Sequence, residues 1–137
     1  MKETTRRRVA LLVVAGTAAA LYTTLAPHWP KDNVVHIVLG NAAAGVEEVR
    51  VSYAPATIHG GMAEDWTREA AFRFPDGSAP RIVTHEPRLA DGDYLVEIEI
   101  LKPPHAPITV DRRVRLEGGS TSIDVSFAVS RPRGEDR

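Results

Sequence analysis

The sequence predicts an all-β fold, an antiparallel two-sheet β-sandwich of about seven strands, preceded by one N-terminal transmembrane or signal helix. Three observations predict it. Residues 9–26 form one unbroken uncharged stretch behind Arg6, Arg7 and Arg8. Downstream of Pro30 the apolar residues recur with period two, as half-buried strands require. Glycine, proline, asparagine and aspartate bends interrupt that alternation at the short intervals of a two-sheet fold.

The apolar stretch comes first. At about 1.5 Å rise per residue it just reaches across a hydrocarbon layer about 30 Å thick. Arg6, Arg7 and Arg8 on its N-terminal side favour retention of that end in the cytoplasm, which places the bulk of the chain across the membrane. Tyr22 and Trp29 suit the far interface. Two readings of the stretch stay open. One is an uncleaved single-pass anchor in the inner (cytoplasmic) membrane, with the following domain in the periplasm or outside the cell. The other is a cleaved signal peptide with Ala18-Ala19-Ala20 as its small-residue site, which would give a secreted protein. Thr5-Arg6-Arg7-Arg8-Val9 only brushes against the twin-arginine export pattern.

Composition bounds the rest. The chain has 137 residues and a formal net charge of −1. Residues 1–8 hold four basic groups (Lys2, Arg6, Arg7 and Arg8) against Glu3, so the remainder is acidic. A domain of that charge, in which only Arg112, Arg113 and Arg115 cluster, is a poor nucleic-acid binder. With no cysteine, disulfides, thiolate metal sites and thiol nucleophiles are excluded, and stability must come from packing and sheet hydrogen bonds. The expected organisation is residues 1–30 as basic tip and anchor or signal, 31–130 as one exported β domain, and 131–137 as a polar tail.

Seven strands are expected, at residues 33–39, 47–54, 68–74, 81–85, 93–101, 108–116 and 120–129. In the first, His36 lies between Val34 and Val38 and is expected to be a strand-surface residue. In the second, Val49, Val51 and Tyr53 oppose Glu48, Arg50 and Ser52. The fifth is the clearest, with Tyr94, Val96, Ile98 and Ile100 on one face and Glu97 and Glu99 on the other. The seventh alternates Ile123, Val125, Phe127 and Val129 with Asp124 and Ser126. Polar faces of this kind imply sheets wet on one side, hence antiparallel pairing. Residues 62–71 have room for a short helical turn. The sixth strand holds an anomaly. Arg112 falls in phase with Ile108, Val110, Val114 and Leu116, and an unpaired buried guanidinium is costly. A β-bulge near Asp111-Arg112 is the expected remedy; a carboxylate partner at a sheet edge, or a partner-facing edge, are the alternatives.

The run Leu89-Ala90-Asp91-Gly92-Asp93-Tyr94-Leu95-Val96, a strand ending near Leu116, then Glu117-Gly118-Gly119-Ser120 and Ile123-Asp124-Val125, resembles the C-terminal half of prealbumin-like or carboxypeptidase-regulatory-like domains. There an L-x-x-G-x-Y-x-V turn and strand precede a final glycine-led strand. The resemblance implies a β-sandwich with an accessory, adhesive or scaffolding role. The N-terminal half carries no G-x-P-L-x-G-A-x-V hairpin.

No catalytic constellation emerges. The serines lie in no G-x-S-x-G or S-x-x-K pattern, the five histidines show no metal-ligand spacing, and no glycine loop opens a helix to cradle phosphate. No metal or other cofactor is expected. Asp91-Gly92-Asp93 is a turn and lacks the longer alternation of a calcium loop. Glu97 and Glu99 are expected to pair across strands with Arg113 and Arg115. The longest connection, 54–67, supplies the candidate ligand-binding residues His59, Glu64, Asp65 and Trp66, a tryptophan beside acidic groups able to grip a sugar or peptide. In the plainer reading Trp66 plugs the core and His59-Gly60-Gly61 is a turn. The expectation is therefore a non-enzymatic, membrane-anchored envelope protein whose domain binds another envelope protein, with an exported carbohydrate-binding module as the alternative.

Overall fold

Alanine, leucine and valine dominate the first helix, α1 (Lys2–Leu25), and all of its apolar side chains stay outside the protein core. Its window Arg8–Leu25 has a mean hydropathy of 1.6 and none of it is buried. The computed structural model describes residues 2–26, 29–56 and 68–130, with α1 side chains from residue 8 onward. The threonines of α1 return their hydroxyls to the helix itself. Thr17 donates to the Val13 carbonyl, and Thr23 and Thr24 each donate to Ala20 O at 3.0 Å. Hydroxyls of this kind find their acceptors within the helix itself.

Seven strands follow: β1 (Val34–Val38), β2 (Glu48–Pro55), β3 (Arg68–Arg73), β4 (Ile82–His85), β5 (Gly92–Leu101), β6 (Ile108–Leu116) and β7 (Ser120–Asp124), then one helical turn, α2 (Ser126–Ser130). They form two open sheets, ordered β4-β1-β7 and β3-β2-β5-β6. Alternation explains the two sides of each sheet. Val35 and Ile37 of β1, Val83 of β4 and Ile123 of β7 share one buried cluster with Val49, Val51 and Tyr53 of β2, Val96, Ile98 and Ile100 of β5 and Val110 of β6. Burying a side chain of this size contributes about 1.5–3 kcal/mol. This shared core is what holds a cysteine-free domain together.

The four-stranded sheet is antiparallel throughout. The three-stranded sheet departs from the expected pairing, because β1 and β7 run parallel, from Val34 opposite Ser120 to Val38 opposite Asp124. The physical reason is that a half-polar strand face encodes burial and not direction. The chain crosses from one sheet to the other after β6, and β7 arrives at the free edge of β1 already pointing the same way.

β7 is also half its expected length. Asp124 stops it, accepting from the Ser126 N–H at 2.9 Å and from its hydroxyl at 2.6 Å, and these bonds hold the Asp124 carboxyl below its usual range. The backbone then closes a turn in which Ala128 and Val129 N–H groups donate to Val125 O. Val125 and Val129, four residues apart, remain buried, a spacing that suits a helical turn as well as a strand.

No bulge interrupts β6. Its pairing with β5 runs unbroken from Gly92 opposite Leu116 to Ile100 opposite Ile108. Arg112 does point to the inner side, opposite Val96, but β6 is the sheet edge and the side chain leaves through it. Its guanidinium donates to Asp111 O at 2.9 Å and lies over the Phe127 ring of α2, 5.1 Å from the centroid. The charge thus stays half-exposed while the stem covers apolar surface. Of the short helical turn expected at 62–71, residues 62–67 lie outside the described residues and residues 68–71 belong to β3.

Candidate functional site

At the end of the domain facing α1, one buried side chain ties three connections together. Asn33 is 1% exposed. Its Nδ2 donates to Leu89 O at 3.0 Å, and its Oδ1 accepts from Gly118 N at 2.8 Å and Gly119 N at 3.4 Å. Lys31 adds an ion pair to Asp91 at 2.7 Å and a backbone bond to Leu89 O at 3.1 Å. Tyr94, two residues into β5, folds its hydroxyl back onto Ala90 O at 2.7 Å, so the Leu89 to Tyr94 corner is closed from both sides. Burial, with the Asp91 charge, raises the Tyr94 phenol above its usual value. The segment that follows α1 is therefore clamped to the domain within a few residues.

A second polar pair lies at the same end of the core. The Tyr53 hydroxyl and His85 Nδ1 are 2.9 Å apart, and the His85 imidazole also meets the Phe72 ring edge-on at 5.6 Å between centroids. Burial pushes Tyr53 well above the usual phenol range. Burial, then the nearby Arg68 charge, lowers His85 against a smaller opposing effect of Glu86. Both causes keep the pair neutral, and the arrangement is one satisfied hydrogen bond inside an aromatic setting.

The outer face of the four-stranded sheet carries the charge. Along one cross-strand row, Arg73 faces Glu48, which also takes Arg50 at 2.8 Å. Along the next, Arg50 reaches Glu99 at 3.7 Å. The third row contains Glu69 of β3, Ser52 of β2, Glu97 of β5 and Asp111 of β6, each opposite the next. The register thus differs from the expected pairing of Glu97 and Glu99 with Arg113 and Arg115. Glu97 stands opposite Asp111 and Glu99 opposite Thr109, while Arg113 and Arg115 stand opposite Leu95 and Asp93. Arg115 pairs instead with Glu117 at 2.7 Å. Desolvation, followed by the carboxylates of Asp111, Glu99 and Glu69, raises the Glu97 carboxyl above its usual range.

His36 lies on the outer side of β1, half-exposed, with Nδ1 3.2 Å from the Thr84 hydroxyl. Of the expected turn Asp91-Gly92-Asp93, only Asp91 is a bend, while Gly92, at φ +154°, and Asp93 already open β5 opposite Leu116 and Arg115. Arg6, Arg7 and Arg8 sit on α1. Tyr22 and Trp29 meet edge-on at 6.2 Å between centroids. The candidate ligand-binding residues His59, Glu64, Asp65 and Trp66 lie outside the described residues. Among the described residues no group of three or more metal-ligating side chains comes together. Sequence reasoning missed Asn33 and the row of Glu69, Ser52, Glu97 and Asp111. Ser52 and Glu97 were legible as polar-face positions, but the register that aligns them with Glu69 and Asp111 depends on contacts between strands. No protein-family model, curated protein or solved structure matches the chain.

Proposed function

We propose that this chain is a non-enzymatic envelope protein, anchored by α1 as a single pass through the inner membrane, whose exported β-sandwich acts as a protein-interaction or scaffolding module. The observation that carries the reading is the state of α1. Leu11, Leu12, Val13 and Val14 are each more than 60% exposed in a helix that touches no core. An uncovered apolar surface of this length needs a membrane or a partner to cover it. Arg6, Arg7 and Arg8 favour a cytoplasmic N-terminus, and Tyr22 and Trp29 suit the opposite interface.

The clamp at Asn33 and Lys31 supports a tether over a loose leader. It ties the exit from α1 to the loops at 89–91 and 118–119, and the next element, β1, is the central strand of its sheet. A module joined in this way stays close to the membrane and, among the described residues, keeps charged side chains on the outer face of the four-stranded sheet for a partner. The Leu89 to Val96 turn and strand, its Tyr94 corner and the glycine-led β7 support a prealbumin-like type of sandwich, for which accessory and scaffolding roles are the expectation.

Fractionation tests the reading. After alkaline wash the protein stays in the membrane pellet, and intact mass finds Arg6 to Arg8 still attached. A soluble species beginning near Leu21 overturns the anchor.

A further inference from the structure

The row Glu69, Ser52, Glu97 and Asp111 is the one place on the described surface where like charges are set opposite each other without a cation. The other acidic side chains of this face have a basic neighbour: Glu48 takes Arg50 and Arg73, Glu99 takes Arg50, and Asp93 stands opposite Arg115. Glu69, Glu97 and Asp111 form no ion pair among the described residues, and Arg113, further along the same face of β6, reaches none of them. Directly opposed like charges on a sheet are destabilising, so the fold carries a cost at this row that the neighbouring rows avoid.

The row also has a floor. Ser52 is 6% exposed and its hydroxyl makes no hydrogen bond among the described residues, although it lies between Glu69 and Glu97 on the side where their carboxylates project. With strands about 4.8 Å apart, the register sets Glu69 and Glu97 about two strand spacings apart across the short serine, and the space between them is the notch. Carboxylates wall it, and an unused hydroxyl acceptor lies at its base. Desolvation already raises Glu97 at this position. The notch does not bring three ligands together for a metal ion. It suits the wider, multi-donor head of a lysine or arginine side chain, which supplies the missing charge and a donor for Ser52.

We infer that the Glu69-Ser52-Glu97-Asp111 row is a docking notch for a basic side chain presented by a protein partner. The inference rests on the reading of the domain as an interaction module and names the chemistry of its partner. The notch accepts a lysine or arginine from a polypeptide lying across the sheet, and the opposed charges are relieved when it binds.

The probe is pentalysine, with pentaglutamate as its control, titrated into the full chain in detergent micelles at low ionic strength. Amide shifts should move at Ser52, Glu69, Glu97 and Asp111. Affinity should fall at least about tenfold in the double variant Glu97→Gln/Asp111→Asn, fall about threefold in Ser52→Ala, and hold in Glu117→Gln. The double variant should melt no lower than the parent, because it removes a repulsion. Shifts spread over the whole acidic surface, unchanged affinity in the double variant, or a lowered melting temperature would each overturn the notch. In intact cells a photo-crosslinker at Thr109, beside the row, should capture a protein that the double variant loses. Capture retained by the double variant overturns the notch and leaves the interaction module standing. Absence of capture from positions on every face of the domain overturns both.

Discussion

Replacing Asn33 with alanine should cost more than the same change at any other polar residue of the domain. Asn33 is almost fully buried and makes two short hydrogen bonds, to Leu89 O at 3.0 Å and from Gly118 N at 2.8 Å, with a longer third from Gly119 N at 3.4 Å. Leu89 O keeps another donor in Lys31 N at 3.1 Å, so its loss is the ordinary one of about 1 kcal/mol. Gly118 N has no substitute acceptor among the described residues, and stranding a half-buried donor adds about 1–2 kcal/mol. The sum is about 2–3 kcal/mol, which for a domain of this size lowers the melting temperature by roughly 8–24 °C. Asn33→Asp keeps the acceptor for both glycine N–H groups but sets a carboxylate oxygen against Leu89 O in a site only 1% exposed, and should lose at least as much as Asn33→Ala. Thermal unfolding of the full chain in micelles, followed by the β-sheet circular dichroism signal, reads both variants. A drop below about 3 °C for Asn33→Ala, under 1 kcal/mol at this domain size, refutes the argument that this residue clamps the segment following α1.

Two further outcomes follow from the core and its turns. His85 is held below its ordinary pKa, so the unfolded chain binds more protons than the folded one as pH falls through the imidazole range. Its stability contribution is complete above about pH 6.5 and is lost on acidification below it. Lowering the pH from 7 to 5 should therefore cost stability in the parent and less in His85→Asn, and equal pH slopes in chemical denaturation would contradict that assignment. Gly77 sits at φ +67°, and an added Cβ would stand 2.7 Å from the Gly45 Cα. Gly77→Ala should destabilise by about 2 kcal/mol or more from strain and overlap together, and denaturant unfolding with an unchanged midpoint would argue against the tight approach of the two turns.

The strand content of the fold was open to sequence reasoning because burial and alternation are local. Tyr94, Val96, Ile98 and Ile100 point inward, as expected from their period, and six of the seven strands lie within one or two residues of the expected ranges. What depended on relations between strands was not open to it. The parallel β1 and β7 pair arises from the path of the chain after Leu116, and no residue of either strand marks its direction. Val125, Phe127 and Val129 fit period two, yet the Asp124 carboxylate turns the backbone one residue earlier, and the four-residue spacing of the two valines serves the helical turn equally. Arg112 lies on the inner side, opposite Val96, and no bulge relieves it. An edge position offers a long side chain a way out that sequence periodicity does not display.

The same distinction governs the candidate site. Glu97 and Glu99 were recognised as a polar face, but the register set by the connection at 102–107 moved their partners by whole residue pairs. Asp111 came opposite Glu97, and the expected arginines came opposite Leu95 and Asp93. A shift of that kind keeps every side chain on its face and changes every neighbour. It turned an expected set of ion pairs into an acidic row without a cation among the described residues.

The most direct test of the central claim, that α1 holds the β domain across the membrane from a cytoplasmic N-terminus, uses the absence of native cysteine. A single cysteine is introduced either as Thr4→Cys, ahead of the arginines, or as Ser120→Cys, at the exposed start of β7. Intact cells are treated with a membrane-impermeant maleimide able to reach the outer side of the inner membrane. The account predicts labelling of Ser120→Cys in intact cells and of Thr4→Cys only after lysis, with both proteins in the membrane fraction. Labelling of Thr4→Cys before lysis, or of neither variant until lysis, contradicts it.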